Sequence, residues 1–250
     1  MKTLKMLAIA LLLIAAPVSA QTADEIIENY LTNTGGAEAW ESVESVKFIG
    51  SVDLGGMSLP IEVYRTKDGK GMIKAEFQGQ QFYQNVYDGE TLWGTNQMTM
   101  AAEKSDAEST ANYKNEINDF PDPFLNYKDK GYTAELLGTE TMDGTETYKI
   151  KLIKEPVLVD GKEQDDIAFY YFDTENFVPI AIETEMSSGP AKGMTSVTVL
   201  SDYQEVDGLY FAFSILEKIQ GAPQGQQITF TDIEINPEID ATMFAYPEKN

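Results

Sequence analysis

From Ser45 onward, apolar and polar residues alternate one for one, and Asp-Gly and Gly-Gly pairs cut the alternation at intervals. Val46, Phe48, Val52 and Leu54 alternate with Lys47, Ser51 and Asp53, and Ile73, Ala75 and Phe77 with Lys74 and Glu76. Tyr148, Ile150 and Leu152 alternate with Lys149 and Lys151, and Val178, Ile180 and Ile182 run up to Glu183. Leu209, Phe211, Phe213 and Ile215 continue the series. A period of two sends successive side chains to opposite faces of a strand, a pattern no helix can use. Leu54-Gly55-Gly56, Lys67-Asp68-Gly69, Tyr87-Asp88-Gly89, Met142-Asp143-Gly144, Val159-Asp160-Gly161 and Val206-Asp207-Gly208 supply the residues that tight hairpins need. The pattern predicts about ten to eleven strands joined mostly as hairpins, and so one large antiparallel sheet, curled or nearly closed.

Two stretches depart from that period. Thr22 and Glu25 have the spacing of a capping box, and Asp24 and Glu25 sit where the helix dipole favours acid. Ile26, Ile27, Tyr30 and Leu31 recur at helical spacing, and Gly35-Gly36 provides the stop. A second short helix, Ala37 to Val43, turns Trp40 inward. Later, Ala101 to Tyr127 is poor in β-branched residues, carries another capping-box pair in Ser105 and Glu108, and ends at Pro121-Asp122-Pro123. One or two helices are expected there, with a thin apolar face of Ala107, Ala111, Tyr113 and Ile117. Such a face cannot anchor a core helix. The segment reads either as a light, movable cover or as a loop excursion.

Residues 1–20 read as an address. Lys2 and Lys5 precede an apolar run from Met6 to Ala16, and Val18-Ser19-Ala20 fits a signal-peptidase site. The run falls short of the ~20 residues that a spanning helix requires. The expected product begins at Gln21 and is a single exported domain over residues 21–250, since no repeat, linker or low-complexity tract interrupts it.

Composition removes whole classes of chemistry. The chain has no histidine and no cysteine, which excludes Ser-His-Asp and Cys-His catalysis, His-ligated zinc or haem, disulfides and an acylated N-terminal cysteine. Its 18 basic and 41 acidic residues give a net charge of −23, which repels phosphate backbones, so no nucleic-acid partner is expected. No G-x-S-x-G, S-x-x-K, Walker loop or G-x-G-x-x-G occurs, and no calcium loop, so neither a cofactor nor a metal is expected. Asp165-Asp166, Glu183 with Glu185, and Asp119 with Asp122 are carboxylate pairs of the kind a glycosidase uses. With 41 acidic residues such pairs arise by chance, and a non-enzyme is the expectation. Arg65 is the sole arginine, at the end of an expected strand. It is either surface charge or a bidentate latch, a task that suits arginine better than lysine. Ile167 to Phe172 is apolar on both faces, which calls for cover on both sides or a concave cavity on one.

Three stretches give the chain a resemblance to a known family. They are Ala23 to Tyr30 running through Thr34-Gly35-Gly36 to Trp40 and Val46; Asp88-Gly89-Glu90-Thr91-Leu92-Trp93; and Ile235-Asn236-Pro237 through Asp240 to Phe244. In these the chain resembles the LolA-like carriers, the outer-membrane lipoprotein-sorting proteins of the Gram-negative periplasm. The resemblance implies a mainly β fold with α cover: a half-open antiparallel barrel of about eleven strands with an N-terminal helix and a helical lid insertion. It also implies a monomeric periplasmic chaperone without cofactor, which holds the acyl chains of lipoproteins or other lipids in an apolar concavity. Such a carrier delivers its cargo from an inner-membrane release complex toward an outer-membrane acceptor. In that family a strand arginine holds the lid shut, a role that would fall to Arg65. Alternation along the strands nominates Phe48, Phe77, Trp93, Phe169 and Tyr171 as lining residues, a set without charge. A non-enzymatic envelope binding or sensor module on the same scaffold is the alternative, because fold alone does not fix function.

Overall fold

The computed structural model describes residues 21–248; the expected signal peptide, residues 1–20, lies outside the described residues. Helix α1 (Ala23–Asn33) starts on the expected capping box, both halves of which form: Glu25 N donates to Thr22 Oγ1 at 3.2 Å and Thr22 N to Glu25 Oε2 at 2.9 Å. It buries Ile26, Ile27 and Tyr30. Helix α2 (Ala37–Glu41) is two residues shorter than expected, and Val43 is buried in the turn that follows. The corner between the helices is locked from inside. Trp40 Nε1 donates to Thr34 Oγ1 at 3.1 Å, and that hydroxyl donates to Tyr30 O at 2.8 Å.

The strands then follow as hairpins: β1 (Ser45–Asp53), β2 (Ser58–Thr66), β3 (Gly71–Phe77), β4 (Gln80–Tyr87), β5 (Leu92–Thr95) and β6 (Ala102–Lys104). Helix α3 (Ala107–Glu116), a short 3-10 turn at Ile117–Asp119 and an irregular stretch lead to β7 (Thr133–Met142) and β8 (Thr145–Ile153). A small hairpin of β9 (Val157–Val159) and β10 (Lys162–Gln164) comes next. The chain closes with β11 (Ile167–Asp173), β12 (Pro179–Glu185), β13 (Thr195–Val206), β14 (Leu209–Ile219) and β15 (Gln226–Ile235). Asp143-Gly144, Asp160-Gly161 and Asp207-Gly208 make their turns with positive φ at both residues, the hairpin geometry that matches strand twist.

Thirteen strands form one sheet, in the order β6-β5-β4-β3-β2-β1-β15-β14-β13-β12-β11-β8-β7, and β9–β10 stands apart. The sheet has more strands than the ten to eleven expected, and the short β5 and β6 lie at one edge. It curls without closing, which leaves β6 and β7 as edges. Register shifts at Ile49/Gly50, Leu136/Gly138 and Tyr171/Phe172 supply curvature. At the first of these a side chain on Gly50 would collide with the Thr229 carbonyl, so close strand approach there requires glycine.

The concave face carries two packed regions. Ile26, Ile27 and Tyr30 of α1 pack with Phe124 and Tyr132 onto Ile150, Leu152, Ala168, Tyr170 and Phe172. Trp40 and Val43 pack with Leu125 onto Val46, Ile61, Leu209, Phe213, Phe230 and Ile233. On the convex face, Tyr64, Met72, Val86 and Trp93 are covered by the C-terminal segment, whose Phe244 is 1% exposed. Trp93 Nε1 donates to Phe244 O at 2.9 Å, and Asp240 caps the 3-10 turn at Ala241–Phe244. No helix among the described residues is long and apolar enough to cross a membrane.

Phe244→Ala removes the ring that seals the convex cluster. Urea unfolding should show a loss of about 3–5 kcal/mol, the usual range for a fully buried phenylalanine. A loss below about 1 kcal/mol would mean that the tail is not part of the fold.

Candidate functional site

The two packed regions leave part of the concave face uncovered, and the uncovered part has two different characters. Along β2 the inward side chains are Leu59, Ile61, Val63 and then Arg65, paired across β3 with Ala75, Ile73 and Gly71. Leu59, Ile61 and Val63 line an apolar groove of about 530 Å³ together with Phe77, Phe82 and Ile228. Leu54, Met57 and Phe77, at 43%, 44% and 37% exposure, stand at its rim. Large apolar side chains grouped at one opening mark a binding surface more often than a plain exterior.

Arg65 lines the second space, a polar cavity of about 580 Å³ roofed by α3 and the β9–β10 hairpin. Lys154 lies in its wall between Asp119 at 2.7 Å and Asp166 at 3.0 Å. Burial works against the Lys154 ammonium, but the two carboxylates outweigh it and raise its pKa. Desolvation at the cavity wall raises the Glu116 carboxyl above its ordinary range although the residue as a whole is exposed, and Arg65 and Lys154 pull it back part of the way. Nearby, Tyr30 donates to Asp122 at 2.6 Å, and burial raises the Asp122 carboxyl.

Helix α3 has no buried residue and is held by polar side chains. Asn112 donates to Leu158 O and accepts from Leu158 N, at 2.8 and 2.7 Å, as another strand would. Asn115 donates to Pro156 O at 3.0 Å, and the Glu108 carboxylate accepts from Asp160 N and Gly161 N. Its few apolar contacts need glycine beneath them: a side chain on Gly71 would come within 2.5 Å of Tyr113 Oη, and one on Gly69 within 2.6 Å of Ile117 Cδ1. The helix is capped by Asp106, whose side chain accepts from Ser109 N, and not by the Ser105–Glu108 pair. Glu108 is instead engaged with the hairpin.

No protein-family model matches the sequence, and no curated protein matches it. Solved structures do. A DUF1329 family protein from Desulfovibrio piger superposes with a TM-score of 0.56 at 13% identity, over 90% of this chain and 97% of its own. A LolA superfamily protein from Nitrosomonas europaea gives 0.53 at 13% identity, over 90% and 98%. The fold is LolA-like. A domain from Vibrio parahaemolyticus, ascribed to outer membrane lipoprotein sorting, gives 0.53 at 10% identity, over 88% and 94%.

Within this LolA-like sheet, alternation divides the five nominated residues. Phe77 lines the groove, and Phe48 lies on the same face, its ring 5.0 Å from that of Phe230 in the groove wall. Trp93, Phe169 and Tyr171 point the other way. Trp93 belongs to the convex cluster under Phe244. Phe169 and Tyr171 lie beneath the Lys149 ammonium, 5.3 and 4.9 Å from the ring centres, and Tyr171 Oη donates to Glu183 at 2.7 Å. A long lysine stem and its cation thus cover the aromatics that the sequence left open to either face. The residues that line the groove beside Phe77 are mostly aliphatic, and the inward set of β2 was readable as Leu59, Ile61 and Val63 once the face was known. The concave face as a whole also contains charge, since Glu116, Lys154 and Asp119 all line the polar cavity. Arg65 faces Tyr113 and Glu116 at electrostatic range, and no hydrogen bond or ion pair from it joins α3 among the described residues.

Asn112→Ala cuts both bonds to Leu158. Hydrogen exchange over residues 107–119 should accelerate, while global stability moves by no more than about 1 kcal/mol. Arg65→Leu, which removes no direct bond to α3, should leave that exchange unchanged. Faster exchange in Arg65→Leu alone would transfer the latch to the arginine.

Proposed function

We propose that the protein is a periplasmic, non-enzymatic carrier that takes up acyl chains in the groove along β2 and releases them to a membrane-bound acceptor. The carrying observation is the groove of about 530 Å³, lined mainly by apolar side chains with Glu217 as its one charged residue, and rimmed by exposed Leu54, Met57 and Phe77. Its size falls within the range of ligand sites. Burying a methylene is worth about 0.8 kcal/mol, so a free lipid anchor aggregates in water and must be covered to cross it. Aliphatic walls open along one side give area without a shape-locked pocket, which favours transfer over permanent retention. The LolA-like fold and the lipoprotein-sorting role ascribed to the Vibrio domain support this reading. Delivery toward the outer membrane, an inner-membrane release complex, a monomeric state and cleavage after Ala20 to a single domain of residues 21–250 belong to the same proposal.

Val63→Asp places a carboxylate mid-groove, next to Ile61 and Ile73. A fluorescent fatty-acyl probe should bind the parent protein saturably and lose affinity about tenfold or more in the variant, because the charge must be desolvated or exclude the chain. Absence of saturable binding to the parent protein would overturn the carrier reading in favour of a scaffold module.

A further inference from the structure

The polar cavity adjoins the apolar groove, and its chemistry is specific. The junction runs along β2, where Val63 lines the groove and the next inward residue, Arg65, lines the cavity. It also runs across the sheet, because Glu217 at the groove pairs with Thr198, Thr198 pairs with Ile182, and Thr184 two residues on lines the cavity. An amphiphile lying on the concave face with its chain in the groove therefore meets the cavity with its head.

One deeply buried polar side chain in that cavity wall lacks a partner. Tyr170 is 9% exposed, its ring packed against Phe124 at 4.7 Å, and it lines the cavity wall. Among the described residues its hydroxyl makes no hydrogen bond, although three neighbouring buried or half-buried tyrosines do: Tyr30 with Asp122, Tyr132 with Asp119, Tyr203 with Pro179 O. Nor is it sealed away as a buried unsatisfied group. A hydroxyl so deeply set is ordinarily satisfied, and here it is open to whatever fills the cavity.

The charges around it are unbalanced in one direction. Lys154 is committed to Asp119 and Asp166. That leaves Arg65 as the one cation uncommitted in the cavity among the described residues, against Glu116, Glu155, Asp165 and Glu185. These carboxylates ring the space without converging: no group of three or more is placed to hold a metal ion among the described residues. A ring of separated acceptors around some hundreds of cubic ångströms suits an extended head with N–H donors better than a bare ion.

We infer that this cavity receives the amine-bearing, cationic head of the amphiphile whose chain occupies the groove, with Glu116 and Tyr170 as its principal partners. The inference rests on the carrier reading and names its cargo class. Glu116 sits on α3, so a head bound there also touches the roof, and loading is coupled to the position of that helix.

Three dodecyl compounds that differ only in the head separate the possibilities: dodecylammonium, dodecyl maltoside and dodecyl sulfate, each used below micelle formation to displace a fluorescent acyl probe from the full mature chain. At about 0.15 M salt, where remote charges are screened, dodecylammonium should compete about tenfold better than dodecyl maltoside, and dodecyl sulfate worse than either. Glu116→Gln and Tyr170→Phe should each reduce that preference severalfold and leave dodecyl maltoside within about twofold. Glu238→Gln, on the C-terminal segment, should change neither, which separates the cavity from the general acidity of the chain. Equal competition by all three heads, or a Glu238→Gln effect as large as that of Glu116→Gln, would overturn the head assignment and leave the carrier reading standing. Failure of every dodecyl compound to displace the probe, with no saturable probe binding, would overturn both.

Discussion

Tyr30 donates its hydroxyl to Asp122 inside a cage of aromatic rings, with Phe172 at 5.5 Å and Phe124 at 6.1 Å. That bond ties α1 to the segment after α3, more than ninety residues later, and both are pressed onto β8 and β11. The interaction decides how the concave face is filled. One end of the sheet receives α1 and the Phe124 segment, the middle receives Trp40, Val43 and Leu125 over residues as far as Ile61, and the part of β2 to β4 around Leu59, Phe77 and Phe82 is left without a helix over it. Asp122 stays there despite the desolvation that raises its pKa because its two oxygens are matched by the Tyr30 hydroxyl and the Phe124 N–H.

An uncovered apolar strip on a curled sheet is unfavourable unless something transient occupies it, since each large side chain left in water forgoes roughly 1.5–3 kcal/mol. The adjacent roof is built oppositely. Helix α3 is held by side-chain amides and a carboxylate that recognise the backbone of the β9–β10 hairpin, a polar attachment that exchanges readily with water. The firm apolar packing lies under α1 and α2, and the weak polar attachment lies over the cavity. Apolar packing and polar attachment are thus assigned to different parts of one sheet.

Much of the architecture was legible in the sequence because strand periodicity and Asp-Gly turns are local signals. The capping box at Thr22 and Glu25, the inward Trp40 and the thin face of α3 are all read from nearest neighbours along the chain. The facing of strands was not. In β11, Phe169 and Tyr171 alternate with Tyr170 and Phe172, and both sets are apolar; only the register with β8, which brings Lys149 opposite Tyr171, decides which set is outside. Trp93 was ambiguous for the same reason, its cover arriving from Phe244, 151 residues away. The paired carboxylates were visible as spacings, but Asp119 and Asp166 meet on Lys154 only through the fold. Gly69-Lys70-Gly71 reads in sequence as a bare hairpin, and its second use, as the seat of Tyr113 and Ile117, becomes apparent only when α3 is in place.

The apolar strip left open beyond the Tyr30–Asp122 region is proposed as an acyl-chain site. Native mass spectrometry of the protein released from its own cell envelope by osmotic shock, without detergent, tests it directly. An acyl carrier should show a second population heavier than the bare chain by the mass of one acylated molecule, which collapses to the bare mass on collisional activation and yields fatty-acyl fragments. A single population at the bare mass, unchanged after incubation with envelope lipid, would contradict it.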